Sequence, residues 1–286
     1  MVNAAVPSGW RTGHVRAGGV RLATYEAGSD ASDAPVVLLL HGLGHWTDGA
    51  WGRLVPMLDP GLRCVAFDLP GFGGSEKPDV RYDRAFFRRV LDEAVDALDV
   101  KRFALIGHSL GGLVAADWAG AHPGRVTHLA LIAPAAFSRT PRHLIFALLA
   151  SGPGRLLFNT RPSRQFVAGT LLNAVFDPAS IDPAHIELAV EIARDRAMRR
   201  AFGGVYSAAV ATFIHRKTLH ANFAGYGGPV FCAWGTHDRY INVSSLRDVI
   251  RVYPRATTLL LDRSGHLPMI EQPNELAAAL NVFLAS

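Results

Sequence analysis

The stretch with the most chemical content is Gly107-His108-Ser109-Leu110-Gly111. It follows the apolar run Phe103 to Ile106 and leads into a helix-forming stretch, which is the setting of a nucleophile elbow. Small neighbours let the chain turn sharply and lift the serine hydroxyl clear of the backbone. The amino terminus of the following helix then favours negative charge developing beside that hydroxyl. A serine needs a base to take its proton. Of the twelve histidines, His266 is best placed, in a loop after the last apolar run that can carry it back over the other runs. An acid must fix the imidazole tautomer. Asp238, in Trp234-Gly235-Thr236-His237-Asp238, is assigned that role. Asp262 is the rival, but it sits too close to His266 in sequence to reach around to its far nitrogen. The backbone N–H groups of Leu43, in His41-Gly42-Leu43-Gly44, and of Leu110 are assigned as the oxyanion hole.

Other polar residues carry weaker readings. His41 and His45 are four apart, yet they lie in a glycine-containing loop with no third ligand, so no metal site is expected. His41 is read as holding the loop in shape, His45 and Trp46 as lining a substrate pocket, and His108 as packed structure. Asp68 to Ser75 offers no assignable catalytic group, and its glycines suit a loop at the rim of the site. Phe137, Leu144, Phe146, Leu148, Phe158, Phe166 and Phe213 could build an acyl or aryl pocket, but are read as the local core. Arg194, Arg196, Arg199 and Arg200 are read as a solvated helix face.

These residues need a scaffold. The first segment reads as a hairpin, His14 to Ala17 and Val20 to Glu26 about a turn at Gly18-Gly19. Val36 to Leu40 is apolar throughout, as in a parallel strand buried on both faces. Similar runs recur at Cys64 to Phe67, Phe103 to Ile106, Leu129 to Ile132, Val230 to Ala233 and Thr258 to Leu261. Between them, Phe87, Val90, Leu91, Ala94 and Leu98 give Tyr82 to Leu98 one apolar helical face. Leu113 to Ala121 and Leu246 to Val252 are further helices, and Asn274 is expected to cap Glu275 to Leu284. The alternation predicts an α/β fold with a mostly parallel sheet covered on both faces. It stops after Pro134. Residues 135–225 read as helices broken at Ser151-Gly152-Pro153-Gly154 and Asp177-Pro178. They form an inserted cap or lid, leaving 1–134 and 226–286 as the core.

Hydrophobic residues make up 49% of the 286 and charged ones 19%, enough for a large core. The net charge of +5 comes without a basic block, so nucleic acid is not the expected partner. Cys64 and Cys232 each lie in an apolar run and read as buried thiols, which suits a cytoplasmic location. Met1 to Trp10 shows no signal peptide, and Leu144 to Ala150 is too short to span a bilayer, so a soluble protein is expected.

Five motifs together resemble the α/β-hydrolase superfamily: His41-Gly42-Leu43-Gly44, Asp68-Leu69-Pro70-Gly71-Phe72-Gly73-Gly74-Ser75, Gly107-His108-Ser109-Leu110-Gly111-Gly112, Trp234-Gly235-Thr236-His237-Asp238 and Gly265-His266. Their Ser, Asp, His order is the one this fold uses. The resemblance implies an eight-stranded, mainly parallel sheet flanked by helices, with a helical cap after the sixth strand. It disfavours dehalogenase and epoxide hydrolase chemistry, which places an aspartate where this chain has Ser109. The expected activity is hydrolysis of a carboxylic ester or related small acyl compound through an acyl-enzyme, with no cofactor. The alternatives are a carbon–carbon bond hydrolase, a cofactor-free perhydrolase, or a ligand-binding receptor on the same fold. The first is disfavoured because His45-Trp46-Thr47 stands where such enzymes often carry Gly-Pro-Gly.

Overall fold

The computed structural model describes residues 9–137, 160–214 and 216–286, without the side chains of 209–214 and 216. Eight strands form one sheet in the spatial order β1-β2-β4-β3-β5-β6-β7-β8. The predicted hairpin is β1 (Arg11–Ala17) and β2 (Val20–Gly28), paired from Arg11 opposite Glu26 to Ala17 opposite Val20. Gly18 and Gly19 both take positive φ in the two-residue turn between them. β2 runs antiparallel to β4 (Arg63–Phe67). From there every pairing is parallel, through β3 (Val36–Leu40), β5 (Phe103–His108), β6 (Val126–Ile132), β7 (Val230–Gly235) and β8 (Thr257–Leu261). β5 and β7 are buried at every position, as their unbroken apolar runs require. β8 differs because it is the edge strand: Leu260 is 50% exposed.

Alternate residues feed two cores. Leu38, Leu40, Leu105 and Leu129 pack on one face with α2 (Arg84–Ala97) and α3 (Leu110–Ala121). Val37, Leu39, Ala104 and Ile106 pack on the other with α1 (Thr47–Trp51) and the C-terminal helices. α2 starts where Asp83 accepts a hydrogen bond from the Phe86 N–H, and it buries Phe87, Val90, Leu91 and Ala94 as the periodicity predicts.

Between β6 and β7 every described element is helical: a short turn at Ala135–Phe137, α4 (Arg164–Asn173), a turn at Pro178–Ser180, α5 (Pro183–Arg194), α6 (Arg196–Ile214) and α7 (Arg216–Phe223). The predicted break at Asp177-Pro178 is a capped turn, its carboxylate accepting from the Ala179 N–H. The break at Ser151–Gly154, Leu144, Phe146, Leu148 and Phe158 lie outside the described residues, as does the Phe213 side chain. Phe137 is fully buried against Phe223, but Phe166 is 65% exposed and is not core. Arg199 also departs from expectation. It is buried rather than solvated, and its guanidinium donates to the carbonyls of Ala193 and Arg194, satisfying the end of α5. Arg194, Arg196 and Arg200 are exposed.

β7 leads through α8 (Leu246–Val252) to β8, followed by α9 (Pro268–Glu271) and α10 (Pro273–Leu284). Asn274 is not the cap of α10. The helix opens one residue earlier on Pro273, whose preset φ and missing N–H suit a first helical position, and no side chain caps it.

The sharpest turn joins β5 to α3. Ser109 sits at φ +51° and ψ −111°, a conformation that L-residues rarely hold. Its N–H donates to the Ile132 carbonyl, and its own carbonyl accepts from Ala135 and Leu113. A Cβ on Gly107 would lie 2.4 Å from the Gly111 carbonyl oxygen, and one on Gly111 only 2.1 Å from that of Leu40. Both opponents are backbone and cannot swing aside. Gly111→Ala should therefore cost about 3 kcal/mol or more through overpacking, read as a fall of several degrees in Tm; an unchanged Tm would contradict this packing.

Candidate active site

The strand order reverses between β3 and β5, since β4 lies on one side of β3 and β5 on the other. Ligands in open α/β sheets bind outside the carboxyl ends of strands at such a switch point. Here the loops after β3 and β5 meet. A Cβ on Gly42 would lie 3.2 Å from Ser109 Cβ and 2.7 Å from His108 Nδ1, so the loop carrying Leu43 rests directly on the elbow. Leu110 opens α3 and is buried, whereas Leu43 is partly buried against the core.

His266 and Asp238 come together from the loops after β8 and β7. Asp238 Oδ2 lies 2.7 Å from His266 Nδ1, and Oδ1 accepts from the N–H groups of Tyr240 and Ile241, each at 2.8 Å. A carboxylate only accepts, so Nδ1 carries the hydrogen and Nε2 is left as the basic nitrogen. Asp262 is exposed and accepts from the Thr236 hydroxyl instead. His108, buried next to the serine, donates from Nε2 to the His266 carbonyl at 2.9 Å. Its ring lies 4.8 Å from the His266 ring.

Two carboxylates that sequence reasoning did not assign hold these loops. Asp68 is fully buried: Oδ1 accepts from the Thr47 N–H, and Oδ2 from the Tyr25 hydroxyl and the Gly74 N–H. Burial and this carboxylate raise the Tyr25 pKa. Glu271 accepts from the N–H groups of Gly265 and Phe176, both at 2.6 Å, and the His266 N–H donates to the Ala174 carbonyl. The His266 loop is thus tied to the segment between β6 and β7. The available signal was only an acid five residues after the histidine. His41 plays the expected loop-holding part: Nδ1 donates to the Gly42 carbonyl and Nε2 accepts from the Leu69 N–H. Both ring nitrogens are occupied, so it cannot ligate a metal in this arrangement. Among the described residues no group of three His, Cys, Asp or Glu is placed to hold a metal ion.

The family model described as alpha/beta hydrolase fold matches residues 35–273. The chain belongs to the α/β-hydrolase fold family. A membrane phospholipase A of known structure has a TM-score of 0.77 at 27% identity, over 97% of this chain and 86% of that one. The 2-hydroxy-6-oxo-6-(2'-aminophenyl)hexa-2,4-dienoic acid hydrolase of Metapseudomonas resinovorans is 25% identical over 284 residues, 95% of this chain and 90% of the relative. A probable 1-acylglycerol-3-phosphate O-acyltransferase of Oryza sativa subsp. japonica is 37% identical over 116 residues, and the match spans 39% of this chain and only 28% of the relative.

In this α/β hydrolase a narrow apolar crevice starts at Leu110 and runs between α2, α3 and α6, lined by Tyr82, Phe87, Leu113, Val114 and Val205. Its far end meets Asp117, a buried carboxylate that accepts from Arg84, Arg88 and Asn222. Among the described residues, neither Phe137 nor Phe166 lines it. Among the described residues no helix is long and apolar enough to cross a membrane. The cysteines are buried thiols, and burial pushes Cys64 up to about 12.

His45 packs against both His108 and His185 beside the elbow, and His41 is fully buried. Burial holds all four below the ordinary imidazole value, His185 at about 4. Below pH 6.5 the unfolded chain takes up protons that the folded one refuses, so stability falls with pH. Tm should be nearly level above about pH 7 and decline from about 6.5 towards 4. His45→Gln should flatten that decline; a Tm that rises on acidification through this window would contradict the assignment.

Proposed function

We propose that the chain hydrolyses a carboxylic ester or related acyl compound through an acyl-enzyme on Ser109. His266 Nε2 takes the serine proton as Oγ attacks the carbonyl, then delivers it to the leaving alcohol. Water attacks the acyl-enzyme with the same histidine as base, releasing the acid. Asp238 holds the tautomer and stabilises the imidazolium. The Leu43 and Leu110 N–H groups receive the oxyanion, and residues 135–225 cap the site. The acyl chain lies in the crevice beyond Leu110. The observation that carries this reading is the 2.7 Å His266–Asp238 hydrogen bond, with the other carboxylate oxygen already held by two backbone N–H groups. The likeness to a membrane phospholipase A supports the ester over other acyl compounds.

Carbon–carbon bond cleavage by the same three residues is the second reading, favoured by a likeness that covers 95% of this chain. A substrate pair separates them: the ester reading expects simple esters to be turned over in preference to a vinylogous diketone, and the reverse order would replace it.

A fluorescent fluorophosphonate followed by intact mass tests the nucleophile. One adduct is expected on the wild type and none on Ser109→Ala, with both proteins folded; an adduct on the variant moves the nucleophile elsewhere. Asp238→Asn should keep the fold but lower kcat by about 10⁴-fold, as expected when the histidine tautomer is lost. Blocking the crevice with Val205→Trp should lower kcat/KM for long acyl chains more than for acetyl esters. An equal loss for both would remove the acyl chain from that crevice.

A further inference from the structure

Tyr240 stands two residues after Asp238 and touches three parts of the structure at once. Its N–H donates to Asp238 Oδ1 at 2.8 Å, and its ring lies 5.5 Å from the His266 ring between centroids. Its hydroxyl donates to the Thr170 carbonyl at 2.7 Å. Thr170 lies in the last turn of α4, where carbonyls lack partners within the helix. The Ala174 N–H, which would continue the helix onto Thr170, turns to the Leu171 carbonyl instead. Tyr240 thus supplies the hydrogen bond that this carbonyl does not receive from its own helix. The Asn173 side chain bonds the same phenol, and because that bond favours the phenolate, the amide is the donor. Burial nevertheless raises the Tyr240 pKa, which keeps the hydroxyl protonated as the donor to Thr170.

The chain leaving that turn grips the other loop. Ala174 accepts from the His266 N–H at 2.6 Å, and a Cβ on Gly265 would lie 2.4 Å from the Ala174 carbonyl oxygen. Glu271 accepts from the N–H groups of both Gly265 and Phe176, and the Phe176 ring packs on His237 at 4.5 Å between centroids. Residues 170–176 therefore hold the Asp238 loop and the His266 loop together. The two loops leave different strands, β7 and β8, so the sheet sets only where each begins. A 2.7 Å bond between Asp238 and His266 needs closer control than that. A misplacement of about 1 Å in such a geometry can cost about a hundredfold in rate. On the acid side, the polar link to α4 is the Tyr240 phenol.

We propose that Tyr240 is a positioning residue, whose phenol registers the Asp238 loop on the last turn of α4 and so fixes the acid against the base. The proposal rests on the roles given above to Ser109, His266 and Asp238. Wild type, Tyr240→Phe and Tyr240→Ala would be titrated with the fluorophosphonate, giving a maximal labelling rate and a half-saturating concentration. Magnetic resonance of nitrogen-labelled histidine would follow the His266 Nδ1 proton, and Tm would be measured on each protein. Tyr240→Phe keeps the ring and loses only the hydroxyl. Its maximal rate should fall about fivefold, the size of one net hydrogen bond, with half-saturation unchanged. Its Nδ1 proton should exchange faster with water, while Tm drops by no more than about 4 °C. Tyr240→Ala, which also loses the ring, should fall further, towards about a hundredfold; should it fail to fold, Tyr240→Phe decides. A Tyr240→Phe protein with the wild-type rate and an unchanged proton overturns the proposal, whether or not its Tm is lower. A change confined to half-saturation also overturns it, since Tyr240 would then act on the bound molecule. No labelling of the wild type would count against Ser109 as nucleophile, and the Nδ1 proton of Tyr240→Phe would then decide the role of Tyr240 by itself.

Discussion

The arrangement depends on one strained residue. Ser109 is held at φ +51° because strands, loop and helix around it leave the backbone no alternative. Its amide is fixed to the end of β6, and its carbonyl to the turn that leaves β6. Gly111 presses on the Leu40 carbonyl at the end of β3. The strain therefore does more than present a hydroxyl. It goes with close approach of the β3 loop, whose Gly42 rests against His108 and Ser109. A looser turn would loosen both contacts together.

Around that turn, charge is confined to places where backbone amides hold it. Asp238 and Asp68 each accept two hydrogen bonds from backbone N–H groups, and Glu271 joins two chain segments in the same way. Carboxylates held like this cannot swing to another partner. The neighbouring histidines are kept neutral by burial. His266 has the Asp238 carboxylate as its partner at 2.7 Å.

The strands and the elbow were legible in the sequence because each is governed by local physics. A strand buried on both faces must be apolar throughout, as Val36–Leu40 is, and a turn as tight as Ser109 must have glycines where backbone touches backbone. Asp68, Glu271 and Arg199 were not legible, because most of their partners are backbone groups, which every residue has. Nothing in the types of residue at 176 and 265 indicates that their N–H groups share one carboxylate. The same limit explains Asn274: a good capping residue is no cap when Pro273 begins the helix one position earlier. Phe166 shows the converse error, since hydrophobicity without a facing partner does not make a core.

The chemistry and the choice of substrate are therefore encoded differently. The elbow, Asp238 and His266 sit on loops whose positions follow from strand order, so any chain with this sheet can carry them. The segment between β6 and β7 meets the loops at the carboxyl ends of the strands. It does not sit apart from the site. Ala174 accepts from the His266 amide, Phe176 shares Glu271 with Gly265, and His185 packs on Trp46. A change in these helices would move His266. The segment is where this chain's own specificity has to be sought.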